Sequence, residues 1–217
     1  MGIDIYSAWF LFCIAFGGML LATWIMGRLG NRFYTMDPLK RQVSMLALEF
    51  PSKETEVANI LRGIFLLDDD DKKASIRSFK WQLILDFLLF MPCAYGSIFI
   101  LCMTIAPTLN SAGETIFMIL AYIQILCFLL DCIENIYFWS NLKPKAKPAS
   151  TLTFKLMQLL EIFKWGPALI GAVSGISVIC FYWLSGHYSK NSITYITIIL
   201  LELIVFSALG KIKTKTA

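Results

Sequence analysis

Two carboxylates and a carboxamide stand inside a run of residues that otherwise has the composition of a membrane-spanning helix. They are Asp131, Glu134 and Asn135, in the segment LLDCIENIYFW. On a helix, spacings of i, i+3 and i+4 put the three side chains on one face, and Gln124 extends the same stripe one heptad earlier. A charged group in hydrocarbon is costly unless it is paired, so we expect this face to meet partners on other helices.

The partners are predicted from other apolar segments in which an ionisable residue falls at a similar depth. Asp86 stands about one turn inside the second segment, and Lys164 stands at the start of the fourth. Three carboxylates then face one cation, which predicts that Lys164 pairs with Asp131 or Glu134. The remaining negative charge must take up a proton or create a site for a cation.

Three further residues have a less direct place in this arrangement. Glu161 is expected nearer the membrane interface, where its side chain can snorkel to water, and Glu202 is expected to be neutral or to face the same cavity. Pro92 should kink the second segment, which leaves open the direction in which Tyr95 faces.

The composition requires a membrane rather than a soluble core. The chain has 217 residues, 58% of them hydrophobic and 16% charged, with a mean hydropathy of +0.68. Five apolar runs approach the ~20 residues that cross a bilayer as a helix. Because these runs are continuous rather than alternating, they predict helices and not a barrel. The five runs are 6–26, 83–106, 115–139, 163–184 and 194–209.

The basic residues predict how these helices are oriented. Seventeen of the 19 Lys and Arg residues fall before the second helix, between the third and fourth, or after the fifth. The positive-inside bias makes that side cytoplasmic, with the N-terminus outside and the C-terminus inside. The same residues favour anionic lipid headgroups over nucleic acid, because no aromatic stacking platform accompanies them.

The predicted fold class is all-α: a polytopic membrane protein with a helical cytoplasmic insertion. The first helix is interpreted as a retained span rather than a signal peptide, because no basic residue precedes it. In the insertion, KRQVSMLALEF and PSKETEVANILRGIFLL predict short amphipathic helices, which either lie on the bundle or interface or form a partner-binding module. The four consecutive aspartates 68–71 predict a solvated turn, since calcium loops alternate their ligands. The predicted parts are 1–27, 28–80, 81–210 (a four-helix bundle) and the basic tail 211–217.

Small residues in the apolar runs indicate how the predicted membrane helices pack. All six cysteines fall within the apolar runs, where they act as small apolar side chains and not as a disulfide or zinc framework. Gly171 and Gly175 have the GxxxG spacing that lets helices approach closely. We expect internal packing there, and a homodimer stays open.

Four stretches together resemble a family of small bacterial integral membrane proteins that has no established activity. The stretches are LALEF (46–50), DFLLFMPCAY (86–95), LLDCIEN (129–135) and FKW (163–165), and the resemblance covers about residues 43–185. The family element reads D-F-L-F, so DFLLF carries one extra Leu before Tyr95. The resemblance implies a bacterial plasma membrane location. It supports the grouping of Asp86, Tyr95, Asp131, Glu134, Asn135 and Lys164 and implies nothing about their chemistry. These six residues are predicted to form a ligand or ion pocket, with Gln124, Glu161 and Glu202 as secondary members.

Three function classes follow, and the first is preferred. A non-enzymatic binding or assembly component would present the insertion and the polar pocket to lipid or a partner. A proton- or cation-coupled transporter would use the carboxylates as ion sites. A metal-dependent enzyme would act on a lipid headgroup, although the only histidine, His187, falls in a predicted outer loop and no hydrolase or phosphate-binding motif occurs. No catalytic residue, metal or cofactor is predicted.

Overall fold

A computed structural model of the chain describes residues 5–187 and 192–211, with side chains from Ala8 onward. These described residues are helical apart from a two-stranded hairpin and the loops, so the all-α fold class is confirmed. The helices are α1 (Ile5–Gly30), α2 (Leu46–Glu49), α3 (Glu56–Ile64), α4 (Asp69–Leu85), α5 (Met91–Ile105), α6 (Ser111–Asn141), α7 (Thr151–Leu184) and α8 (Ser192–Lys211).

Four of the five apolar runs each lie within one helix, and the second run, 83–106, continues from α4 through the π-helical turn Asp86–Phe90 into α5. Across the described ranges, five helical segments are long and apolar enough to cross a membrane. Two of them begin well before the predicted start. Helix α4 begins at Asp69, and α7 begins at Thr151, where the hydroxyl of Ser150 accepts a hydrogen bond from the backbone N–H of Thr153 (3.1 Å). This cap satisfies one of the free donors of the first turn and lies outside the apolar run that was used for the prediction. The predicted tail 211–217 lies outside the described residues, apart from Lys211.

The acidic run at 68–71 was wrongly predicted to be a turn. Asp68 precedes α4, and Asp69, Asp70 and Asp71 form the first turn of that helix. Carboxylates at this position interact favourably with the positive end of the helix dipole, so the run starts a helix instead of separating two. It is nevertheless solvated, and Lys40 pairs with Asp71 at its edge.

The insertion between α1 and α4 contains a β-hairpin that the helical prediction missed. Strand β1 (Tyr34–Met36) pairs antiparallel with β2 (Lys40–Gln42), so only the last part of KRQVSMLALEF is helical. The centre of β1 explains why the hairpin forms. Thr35 is fully buried, and its hydroxyl donates to the carbonyl of Ile60 in α3 (2.7 Å). A strand of three residues carries too short a pattern to be distinguished from a loop in the sequence.

The residues fall into two compact units, which are described separately. The first unit contains the residues up to Trp24, Leu89–Phe128 and the described residues from Gly166 onward. In it, α7 packs closely on α5. A Cβ atom on Gly175 would lie 2.6 Å from Leu101 Cδ2, and one on Gly171 would lie 2.9 Å from Ile98 Cγ2. The GxxxG pair therefore serves packing within the chain, as predicted.

The second unit contains Ile25–Leu88 and Leu129–Trp165. It has its own apolar core, to which the insertion and parts of α4, α6 and α7 all contribute. In α3 the predicted apolar face is the buried one. The fully buried large side chains of this core are Phe33, Leu48, Ile60, Leu61, Ile64 and Phe79.

Gly63 permits the contact between α3 and the hairpin. A Cβ at this position would lie 2.7 Å from the backbone oxygen of Met36 and closer still to the Thr35 hydroxyl. We expect Gly63→Ala to lower the free energy of unfolding by about 1–3 kcal/mol, because the opposing atoms are backbone and a buried side chain. Thermal unfolding in detergent measures the change. Gly166→Ala is the control, since nothing lies within 4 Å of its Cβ position. Equal melting temperatures for the two variants would contradict this packing.

Candidate functional site: a buried lysine among carboxylates

Lys164 is the centre of the candidate site. Its side chain is 2% exposed, and its ammonium group donates to Asp131 Oδ1 at 3.0 Å and forms an ion pair with Glu161 Oε1 at 3.1 Å. A third contact joins it to Glu134 Oε2. Three carboxylates of the chain therefore surround this ammonium group.

Helix geometry places these groups. Asp131 and Glu134 stand at i and i+3 on α6, and Glu161 and Lys164 stand at i and i+3 on α7, so each helix offers one polar face. Both of these α6 carboxylates and Glu161 are buried. The sequence predicted that Lys164 pairs with Asp131 or Glu134, and in the structure Lys164 contacts both.

The expectation that Glu161 snorkels to the interface is wrong. Glu161 is 3% exposed, and its second carboxylate oxygen accepts a hydrogen bond from Trp165 Nε1 at 3.1 Å. Two internal donors replace the water that snorkelling would have provided. The sequence pattern LLEIFKW already held the i, i+3 ion pair that fixes the side chain inward.

Asp86 and Asn135 form a second contact in the same unit. The Asn135 amide donates to Asp86 Oδ2. Asp86 begins a single π-helical turn, Asp86–Phe90, and Pro92 then lies in the first turn of α5. A π turn accommodates one extra residue in a helix. The extra Leu of DFLLF therefore has a structural counterpart.

Glu49 is the member of the site that the sequence analysis missed. It lies at the end of α2 in the insertion, and its electrostatic neighbours are Glu134, Lys164, Asp131 and Asp86. Burial, followed by the negative charge of Glu134, raises the pKa of Glu49 from about 4.5 to about 8. A signal was present in LALEF, where one carboxylate interrupts an apolar stretch. We refer to the seven residues Glu49, Asp86, Asp131, Glu134, Asn135, Glu161 and Lys164 as the charge cluster.

Gln124 and Tyr95 belong to the first unit. There they line a mostly apolar cleft of about 220 Å³. The Gln124 amide is 1% exposed and donates to the carbonyls of Leu120 (3.0 Å) and Pro167 (3.3 Å). The bond to Pro167 joins α6 to α7, which is the helix-joining role of an amide between apolar helices.

Glu202 also belongs to the first unit, where its carboxylate lies against α1. A Cβ on Gly17 would be 2.6 Å from Glu202 Oε1, so the glycine makes room for the carboxylate. Like Gln124, Glu202 contributes to a contact between helices of its own unit.

The chemistry open to the charge cluster follows from its charges. Five carboxyl groups share one ammonium, and that ammonium occupies the position between Asp131, Glu134 and Glu161 that a bound cation would need. In the described part of the chain, no group of three or more His, Cys, Asp or Glu side chains could hold a metal ion. Metal-dependent headgroup chemistry therefore stays a prediction from the sequence. The geometry favours ion pairing and proton exchange instead.

Comparison of the chain with family models, curated proteins and solved structures yields no match. The resemblance based on residues 46–50, 86–95, 129–135 and 163–165 stays a prediction.

Removal of the Lys164 side chain should strongly destabilise the fold, because it leaves buried carboxylates without their counter-charge. We expect Lys164→Met to lower the free energy of unfolding by about 3–5 kcal/mol. Lys155→Met is the matched control, since Lys155 is exposed on the same helix. Thermal and denaturant unfolding in micelles measure both variants. A loss below about 1 kcal/mol for Lys164→Met would show that the ion pairs do not hold the second unit together.

The raised pKa of Glu49 predicts a pH dependence with a definite sign. Because protonated Glu49 is favoured in the fold, its stabilising effect is complete below pH 4.5 and is lost as the pH rises to about 8. Glu49→Gln stays neutral, so its advantage in melting temperature over the wild type should grow from pH 5 to pH 8 and then level off. Glu54→Gln, on the same insertion, should show no such growth. An advantage that is constant with pH would contradict the assignment.

Proposed function

We propose that this chain is a non-enzymatic binding or assembly component of a bacterial plasma membrane, with the insertion on the cytoplasmic side. The distribution of 17 of the 19 basic residues supports this orientation. In this role the charge cluster holds α6, α7 and the insertion together. The insertion then carries the surface that meets lipid headgroups or a protein partner.

The observation that carries this proposal is that three carboxylates surround the ammonium group of Lys164. A catalytic or transport lysine needs a donor or a lone pair to offer to its substrate, whereas the Lys164 ammonium group is buried and surrounded by Asp131, Glu134 and Glu161. Such an arrangement supports a clamp between α6 and α7. The binding chemistry is then expected elsewhere in the second unit.

A polar cleft in the insertion is the candidate binding surface. Its volume is about 310 Å³, and it brings Arg41 and Lys53 together with the hydroxyls of Ser52 and Thr55. Arg41 also lies 3.8 Å from Asp37. Two cations and two hydroxyls fit the phosphate of an anionic lipid headgroup. The complete lining is Asp37, Arg41, Ser52, Lys53, Thr55, Glu56 and Asn59.

Lipid retention tests the proposal. The protein is reconstituted in nanodiscs that contain phosphatidylglycerol and phosphatidylethanolamine, released into a mild detergent and weighed by native mass spectrometry. We expect retained phosphatidylglycerol on the wild type. The double change Arg41→Gln/Lys53→Gln should weaken retention by about 2 kcal/mol, or about 30-fold, because each cation near a membrane surface contributes about 1 kcal/mol.

The matched control is Lys145→Gln/Lys147→Gln, which removes two exposed cations from the connection before α7. Retention that falls equally in both double variants would show general surface attraction and not a binding cleft. If the wild type retains no lipid and co-purifies with no protein, the proposed function is wrong.

A proton- or cation-coupled transporter is the second candidate, favoured by the excess of five carboxyl groups over one ammonium in the charge cluster. Five spans are few for a transporter protomer, so this function would require a dimer. Proton flux into liposomes distinguishes it. Flux that the wild type lacks, or that survives Asp131→Asn together with Glu134→Gln, would exclude this mechanism.

A further inference from the structure

Two acidic side chains of the charge cluster share both a location and a counter-ion. Glu134 on α6 and Glu161 on α7 each contact the ammonium group of Lys164, so the two carboxyl groups lie close together around one nitrogen. Their exposed fractions are 6% and 3%. Two ionised carboxylates in contact repel each other strongly in such a site, as in other acid pairs that hold one proton between them.

The hydrogen bonds around the pair are unequal. Both oxygens of Glu161 have a partner: one forms an ion pair with Lys164 and the other accepts from the indole N–H of Trp165. Glu134 accepts from Lys164 at Oε2 only. Its other oxygen, Oε1, is buried and has no hydrogen-bond partner among the described residues. A buried acceptor without a partner costs about 1–3 kcal/mol, more if it is charged.

The groups that face Glu134 from the neighbouring elements increase this asymmetry. Asp131 stands on α6 itself, Asp86 begins the π turn, and Glu49 comes from α2. The thiol of Cys132 and the amide of Asn135 are neutral. Lys164 is therefore the only cation that faces the pair from the packed elements described, and Asp131 already shares its charge.

We propose that Glu134 and Glu161 form a proton-binding site within the membrane helices, in which one proton resides on Glu134 Oε1 and is donated to the Glu161 carboxylate. This proton removes one negative charge and gives the orphaned oxygen a bond. It makes the contact between α6 and α7 a hydrogen-bonded acid pair held by Lys164. The inference goes beyond the proposed binding role, which assigns no ligand to this site.

Infrared difference spectroscopy of the reconstituted protein at pH 7 tests the site, because a protonated carboxyl group has a C=O stretch distinct from that of a carboxylate. We expect the wild type minus Glu134→Gln difference spectrum to contain one positive acid band, because the variant lacks it. The wild type minus Glu161→Gln difference spectrum should contain the same single band, since the two carboxyl groups share the proton. Glu202→Gln is the control and should leave that band in place. Loss of only a carboxylate band in Glu134→Gln would overturn the proposal.

A milder variant covers the case in which these substitutions prevent folding. Trp165→Phe removes one donor from Glu161, so the acid band should shift in frequency while the protein stays folded. An unshifted band would overturn the proposal. Spectra in choline, sodium and potassium salts identify the ligand: an acid band that persists in all three supports a proton, and one that vanishes with sodium or potassium assigns the site to a metal cation. None of these outcomes depends on lipid retention by the insertion.

Discussion

The second unit depends on the ion pairs that Lys164 forms in a buried setting. A lysine that is 2% exposed is tolerated only when its charge is compensated, and Asp131, Glu134 and Glu161 all contact its ammonium group. The same pairs fix which faces of α6 and α7 meet. A shift of either helix by one turn would leave the ammonium without two of its partners, so the ion pairs set the register of the contact.

The excess of carboxyl groups gives this clamp a second property. A single proton on Glu134 and a neutral Glu49 together remove two of the five negative charges around one ammonium, without any external ion. Glu49 reaches the cluster from α2, whereas the other members stand on α6, on α7 or on the π turn. Proton loss would therefore act on the junction between the insertion and the helices. The polar cleft with Arg41 and Lys53 lies in that same insertion. Protonation of Glu49 therefore changes the stability of the segment that carries the proposed binding surface.

The sequence predicted those features that depend on local pattern. The five apolar helices and the face shared by Asp131, Glu134 and Asn135 follow from periodicity, and the choice of Lys164 as counter-ion follows from charge and depth. It could not predict the hairpin, because three-residue strands are set by tertiary contacts such as the Thr35 bond to Ile60. Glu49 was missed for a related reason: it lies in a four-residue helix whose position relative to α6 is not encoded in any spacing.

Polar residues within long apolar helices can join two helices or belong to a larger cluster, and this chain contains both arrangements. Gln124 satisfies its donors with two backbone carbonyls, and Glu202 occupies the space that Gly17 leaves. Each acts alone, so its loss would affect one helix contact. The members of the charge cluster instead depend on one another, because each neutralisation changes the charge that the others face. Such mutual dependence is what a proton site requires. It explains why Glu134 and Glu161, rather than Gln124 or Glu202, are the residues at which a change of protonation can alter the contact between helices.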